Sequence, residues 1–300
     1  MEALLSLAFD NLSSFDGPKI RKGLRQVEGL LAQICLSTPD DDQENNESPP
    51  SSPSSSRKKS LAELSADPAF REFFKLQEGF EWNVTMRLVS TLDRLMGRGY
   101  NDGQNDLLIL GTLDLVQGIL LLHPPSKALF SREQNMNISN SEYSHHDLQL
   151  LLDLLEPVNC PAIQSATLLV LVAALIDMPR NTRTFEALDG LLTITSLFKS
   201  RSTPREVKLK LVEFLYFYLM PEVPSIPKAG ARASVPAMLQ RSPSKLAGAF
   251  GGANGTKQSP EFEYTLTTEE KQEMLGQHLS SVEDLVKDLR TCTPFGGAIS

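Results

Sequence analysis

Cysteine and histidine are scarce in this chain, with three Cys and four His in 300 residues. Cys35, Cys160 and Cys292 lie far apart, so no disulfide framework can be drawn. No C-x-x-C or H-x-x-x-H spacing supplies a metal site, and the adjacent His145 and His146 would point about 100° apart on one helix. A cysteine phosphatase needs an arginine six residues after its nucleophile. Here those positions hold Asp41, Ala166 and Ala298. No Walker loop or G-x-G-x-x-G is present, since Gly248, Gly251, Gly252 and Gly255 fall in a Ser/Gly-rich stretch. No uninterrupted apolar run reaches the roughly 17–25 residues of a membrane span, which predicts no membrane insertion. Basic excess is missing as well. A formal net charge of −8 argues against nucleic acid, whose affinity rests on neutralising phosphates. These absences predict a chain with no enzyme activity, no cofactor and no metal. The opening Met1-Glu2 and the amphipathic segment after it do not read as a signal peptide, so a cytosolic or nuclear protein is expected, with the cytoplasm favoured.

What the chain does have is hydrophobic content, 41% of residues, arranged in helical periods. Three long apolar stretches run from Asp106 to Pro124, Pro161 to Pro179 and Pro204 to Pro221, spans of 18, 18 and 17 residues. Each stops at a proline, which cannot continue a helix and restricts the residue before it. In the third, Thr203-Pro204-Arg205-Glu206 reads as a capping box with proline at the first helical position. Val207, Leu211, Phe214, Leu215 and Tyr218 there share one helical face. Upstream, Asn181 to Phe198 reads as a short helix, a glycine corner at Gly190 that a positive φ would suit, and a second helix. Phe73 to Met96 repeats that text around Gly79. Short helix, glycine, helix, long helix is the armadillo pattern. The expected fold is all-α: an armadillo/HEAT-like array, an α-α superhelix, with disordered inserts. An irregular helical bundle with accidental spacing is the alternative. Leu169, Val170, Ala173, Leu188, Leu192, Leu197, Leu211 and Phe214 are the expected core.

The expected division is as follows. Residues 1–36 form N-terminal capping helices, with Ile20, Leu24, Val27, Leu31 and Ile34 on one face. Residues 37–60 are a disordered acidic and Ser-Pro insert, and 61–222 are the repeats, with a shorter polar insert from Ser131 to Ser144. A disordered Ser/Pro/Gly linker occupies 223–262, and 263–292 are a C-terminal helix docking on the array. The disordered assignments follow from composition, because such segments bury too little apolar surface to offset ordering entropy.

Two features bear on binding. The third long helix carries a second apolar stripe, Leu209, Val212, Tyr216 and Leu219, which needs a cover. A partner protein is one candidate. The other is the chain's own tail, where Leu275, Leu279, Val282, Val286 and Leu289 alternate at spacings of four and three behind the capping box Thr267 to Glu270. Around this helix, seven basic residues (Arg180, Arg183, Lys199, Arg201, Arg205, Lys208, Lys210) face three acids between Pro179 and Lys210. Arg201, Arg205 and Lys208 with the stripe form the expected protein-binding surface; a solvated rim is the plainer reading. The inserts carry Ser/Thr-Pro pairs that suit proline-directed kinases: Ser52, Ser242 and Ser259 are the candidate phosphorylation sites, and Arg241-Ser242-Pro243-Ser244-Lys245 has the fullest motif.

The runs FREFFKLQEGFEWNVTMRLVSTLDRLM, NDLLILGTLDLVQGILLLHPPSKALF, CPAIQSATLLVLVAALIDMPRNTRTFEALDGLLTITSLFKS and VKLKLVEFLYFYLMPE, with the tail EEKQEMLGQHLSSVEDLVKDLR, resemble the fungal cell division control protein 14 family. This is the septation initiation network component, not the phosphatase that shares its number. The resemblance implies a non-catalytic scaffold that binds a germinal-centre-type protein kinase at the spindle pole body, in septum formation and cytokinesis. It maps no residue-level site. A generic armadillo adaptor for peptide cargo is the alternative.

Overall fold

Prolines and short polar side chains set the starts of the helices. The computed structural model describes residues 1–36, 59–97, 103, 105–131, 147–222 and 264–281. Ser52, Ser242 and Ser259 lie outside them, as do His145, His146, Val282, Val286, Leu289 and nearly all of the expected disordered inserts. Two units are distinguished, Met1–Leu215 and Tyr216–Ser300. Apart from an isolated bridge at Leu36, the described residues form helices and turns only. The chain is all-α.

In the first unit, α1 (Glu2–Leu12) and α2 (Gly17–Cys35) form a helical pair. The predicted face of α2 is the buried one, with Ile20, Val27 and Ile34 each at most 2% exposed. After residue 58 the chain resumes beside the point where it left: the Lys59 N–H donates to the Cys35 carbonyl at 3.0 Å. A capping box not anticipated from the sequence then starts α3 (Leu61–Ala66), with Ser60 and Glu63 exchanging bonds of 3.3 and 2.6 Å. Asp67 caps α4 (Pro68–Glu78) by accepting from Ala69 N–H at 2.7 Å. Its carboxylate also pairs with Lys59, which holds it below the usual range. Asn83 caps α5 (Val84–Met96) through Met86 N–H at 3.0 Å. Gly79 keeps a negative φ of −83°. The corner between α4 and α5 is therefore not made by a left-handed glycine. Side-chain amides hold it: Gln77 Oε1 accepts from Val84 N–H at 2.8 Å, and Asn83 Nδ2 donates to the Gln77 carbonyl at 2.7 Å.

The first long stretch is α6 (Asp106–Leu122), which packs on α2, α5 and the second long helix. A 3-10 segment, Pro124–Ser131, follows it. After α7 (Asp147–Asp153) comes the second long helix, α8 (Pro161–Leu175). Next are α9 (Pro179–Ala187), α10 (Gly190–Lys199) and the third long helix, α11 (Arg205–Leu219). Asn181, fully buried, ties three of these elements by donating to the Ala174 and Lys127 carbonyls at 2.7 and 2.9 Å. Val170, Ala173, Leu197, Leu211 and Phe214 are buried as expected.

Several expectations need correction. Leu169 and Leu192 are 38% and 47% exposed, and Leu188 is half-buried. An apolar residue in a nearly all-apolar helix need not face inward, and α8 is open to solvent at Leu169. The positive φ belongs to Asp189 (57°), one residue before the predicted glycine. Gly190 is needed for space, since a Cβ there would sit 2.3 Å from Phe185 Cε2. The capping box at Thr203 is replaced by another bond. Its hydroxyl donates to the Leu197 carbonyl at 2.7 Å, and the first helical bond of α11 runs from Lys208 N–H to the Pro204 carbonyl.

The second unit holds the last turn of α11 and a short helix, α12 (Thr268–Gly276), started by the predicted Thr267–Glu270 capping box. Lys271 is 2% exposed. Its ammonium donates to the Met220 carbonyl at 2.5 Å, lies 3.6 Å from the Glu222 carboxylate and sits 5.3 Å from the centre of the Tyr218 ring. The same carboxylate accepts from Leu266 N–H at 2.9 Å. Here too the chain re-enters beside the point where it left.

Candidate protein-docking surface

The surface around α10 and α11 begins with the fit of two aromatic rings. Phe185 and Phe214 pack with centroids 5.6 Å apart and are both essentially buried. They fix α9 against α11 and leave the outer faces of α10 and α11 to solvent. On α11, Leu209 is 56% exposed, whereas Leu219 at the far end of the predicted stripe is only 1% exposed. Val212 and Tyr216 are half-buried. The stripe is one sequence pattern with two fates: its N-terminal part is open, and its C-terminal part lies in the unit where α12 meets the end of α11.

The basic cluster also divides. Arg183 pairs with Glu186 at 2.9 Å and Lys210 with Glu213 at 2.7 Å. Lys199, Arg201 and Arg205 are exposed and Lys208 is half-buried. Short-range pairing thus occupies part of the cluster, and Arg201, Arg205 and Lys208 place basic side chains along the turn between α10 and α11.

One element of this face was missed by sequence reasoning. The turn after α7 and the outer side of α10 line an open groove of about 320 Å³, formed by Leu155, Glu156, Pro157, Leu192, Thr193, Ser196, Leu197 and Ser200. Its lining is mainly apolar, with three hydroxyls (Thr193, Ser196, Ser200) and the Glu156 carboxylate. Val158, beside the groove in sequence, is 58% exposed. The available signal was Leu192, an apolar residue at a helical position where the core did not need it. A groove with few charged groups has the chemistry to take an apolar side chain from a partner.

Several polar groups among the described residues are buried. His123 Nδ1 and Ser126 Oγ are 2.8 Å apart, but both residues are at most 3% exposed. The edge of His123 meets Phe74, centroid to centroid at 4.4 Å, and its Nε2 has no hydrogen-bond partner. Burial pushes this imidazole below its usual range, with Glu78 acting weakly in the other direction. Burial likewise lowers Lys127, whose ammonium donates to the Ile176 carbonyl at 3.1 Å at the end of α8. Cys35 is raised by burial, which disfavours the reactive thiolate. Among the described residues no three His, Cys, Asp or Glu converge as a metal site, and no single helix is long and apolar enough to cross a membrane.

Comparison with known proteins places the whole chain. The family model described as cell division control protein 14, SIN component, matches residues 1–295. Cell division control protein 14 of Schizosaccharomyces pombe is 27% identical, over 99% of this chain and 97% of its own length. No solved structure matches. With all but the last few residues accounted for by one family, the chain belongs to the cell division control protein 14 family of SIN components, as its resemblance to that family implied.

Proposed function

We propose that this protein is a non-catalytic scaffold that binds a protein kinase of the septation initiation network and supports septum formation and cytokinesis. The observation that carries this reading is family membership across residues 1–295. The exposed Leu209 with Arg201, Arg205 and Lys208 supplies the surface. In this reading the helices stack as an armadillo-like array, α6, α8 and α11 being the long helices of successive units. Apolar contact supplies the affinity at such a surface, and the basic residues set orientation and on-rate. The protein works in the cytoplasm at the spindle pole body, and Ser-Pro phosphorylation at Ser52, Ser242 or Ser259 tunes the interaction.

The test is affinity purification of the full chain from dividing and interphase cells, beside a Leu209→Asp variant. A kinase should co-purify in stoichiometric amounts with the natural chain and be lost with the variant, the melting temperature staying unchanged. Recovery of no kinase from either cell population would reject the scaffold reading. The groove beside Leu192 favours a second reading, a peptide-cargo adaptor. In that case a short synthetic peptide would bind the isolated protein unaided.

A further inference from the structure

A second surface of unusual composition lies at the start of the chain. Phe15, in the turn between α1 and α2, is 74% exposed, and Leu107, in the first turn of α6, is 70% exposed. They are two of the three most exposed large apolar side chains among the described residues. The start of α6 lies against the start of α2: Leu108 Cδ1 is 3.8 Å from where a Cβ on Gly17 would sit. One turn further along α6 and two further along α2, Leu24 Cδ1 is 3.7 Å from the corresponding point on Gly111. The two helix starts therefore form one corner, and both apolar tips belong to it. Arg94 holds the turn by donating to the Leu12, Ser13 and Ser14 carbonyls, with its guanidinium 5.7 Å from the centre of the Phe15 ring.

The same corner is basic, although the chain as a whole is acidic. Gly17 to Arg25 contains Lys19, Arg21, Lys22 and Arg25 and no acid. All four are exposed. At about 100° per residue they spread over the side of α2 opposite its buried face of Ile20, Leu24 and Val27. None forms an ion pair among the described residues. Acids lie nearby too: Asp16 at the head of α2, Asp106 at the head of α6, Asp10 in the last turn of α1 and Glu28 one turn beyond Arg25, while the run from Gly17 to Arg25 itself is purely basic.

We propose that this corner is a peripheral docking site for an anionic phospholipid surface. Phe15 and Leu107 enter the boundary between headgroups and acyl chains, and Lys19, Arg21, Lys22 and Arg25 lie over headgroup phosphates. The pairing of protruding apolar tips with dispersed basic side chains is what a negatively charged bilayer selects. Long Lys and Arg side chains reach the phosphate plane while their methylenes stay against apolar groups. A bilayer also suits a convex corner, because a fluid surface closes around a protrusion without a preformed pocket. The bond is surface attachment, added to any role as a kinase scaffold and independent of it.

The experiment is sedimentation of the full chain with vesicles rich in phosphatidylserine and with vesicles of phosphatidylcholine alone, at low and high salt. The protein should partition onto the anionic vesicles, much less onto the neutral ones, and lose binding as salt rises. Lys19→Glu with Lys22→Glu should weaken partition by about tenfold or more. Phe15→Ser with Leu107→Ser should weaken it several-fold and leave the salt dependence in place. Because all four side chains are exposed, the melting temperatures should match the natural chain. Failure of the natural chain to bind anionic vesicles overturns the proposal, as does equal binding by either double variant. Loss of kinase co-purification on charge reversal, with no vesicle binding by the natural chain, would assign the corner to a protein partner and also overturn it.

Discussion

The imidazole of His123 is closed off on all sides, and that sets a pH dependence. Its folded-state pKa lies below the ordinary 6.5 because burial penalises the charged form. Below about pH 6.5 the unfolded chain therefore binds a proton that the folded chain refuses, and stability falls as pH falls through that window. A series of melting temperatures from about pH 7 to about pH 5 should show this slope, and His123→Phe should flatten it. An unchanged slope would mean that other groups carry it. Gly190 gives a steric test at the same scale. With Phe185 Cε2 only 2.3 Å from the place of a Cβ, Gly190→Ala should cost about 1–3 kcal/mol or more, read by denaturant unfolding. The sequence identified Gly190 as a corner residue but attached the wrong reason to it. Positive φ and close approach leave the same glycine in a sequence, and only packing tells them apart.

At the scale of the element, helix bounds were legible wherever a covalent or local cause set them. Proline stops bracketed α6, α8 and α11, and the Thr267–Glu270 capping box was read correctly as the start of α12. Which apolar residues face inward was less legible. Leu169 and Leu192 carry the same side chain as their buried neighbours, and exposure depends on which helix arrives opposite. Lys271 is a further case: a lysine in an acidic stretch looks solvated, yet it is buried against the end of α11 because the Met220 carbonyl, the Glu222 carboxylate and the Tyr218 ring all favour a cation there. Removing one member of such a buried pair strands the other. Lys271→Met should cost about 3–5 kcal/mol and speed amide exchange throughout α12. The double variant Lys271→Met with Glu222→Gln should recover part of that loss, and strictly additive effects would deny the coupling.

For the whole molecule, helical periodicity was enough to give an all-α chain, and the resemblance of long sequence runs gave the family, while the groove by α10 had no linear signature. It exists because Leu155 and Leu192, far apart in sequence, line one cleft. The inserted segments bear on the molecule in another way. The chain leaves at Cys35 and returns at Lys59 through a backbone bond of 3.0 Å, and it leaves at Glu222 and returns at Leu266 through a bond of 2.9 Å. Replacing residues 37–58 by a short glycine linker shortens a closed loop by more than two doublings. It should therefore raise stability by about 1 kcal/mol, a shift of about 2–4 °C in melting temperature. A fall instead would show that the segment contributes contacts of its own. Closure at the base makes these two places the natural sites for insertion. A fluorescent domain whose own termini lie close together can be grafted within 37–58 or 223–263 without asking any described helix to move, and the logarithmic cost of loop length leaves room for it.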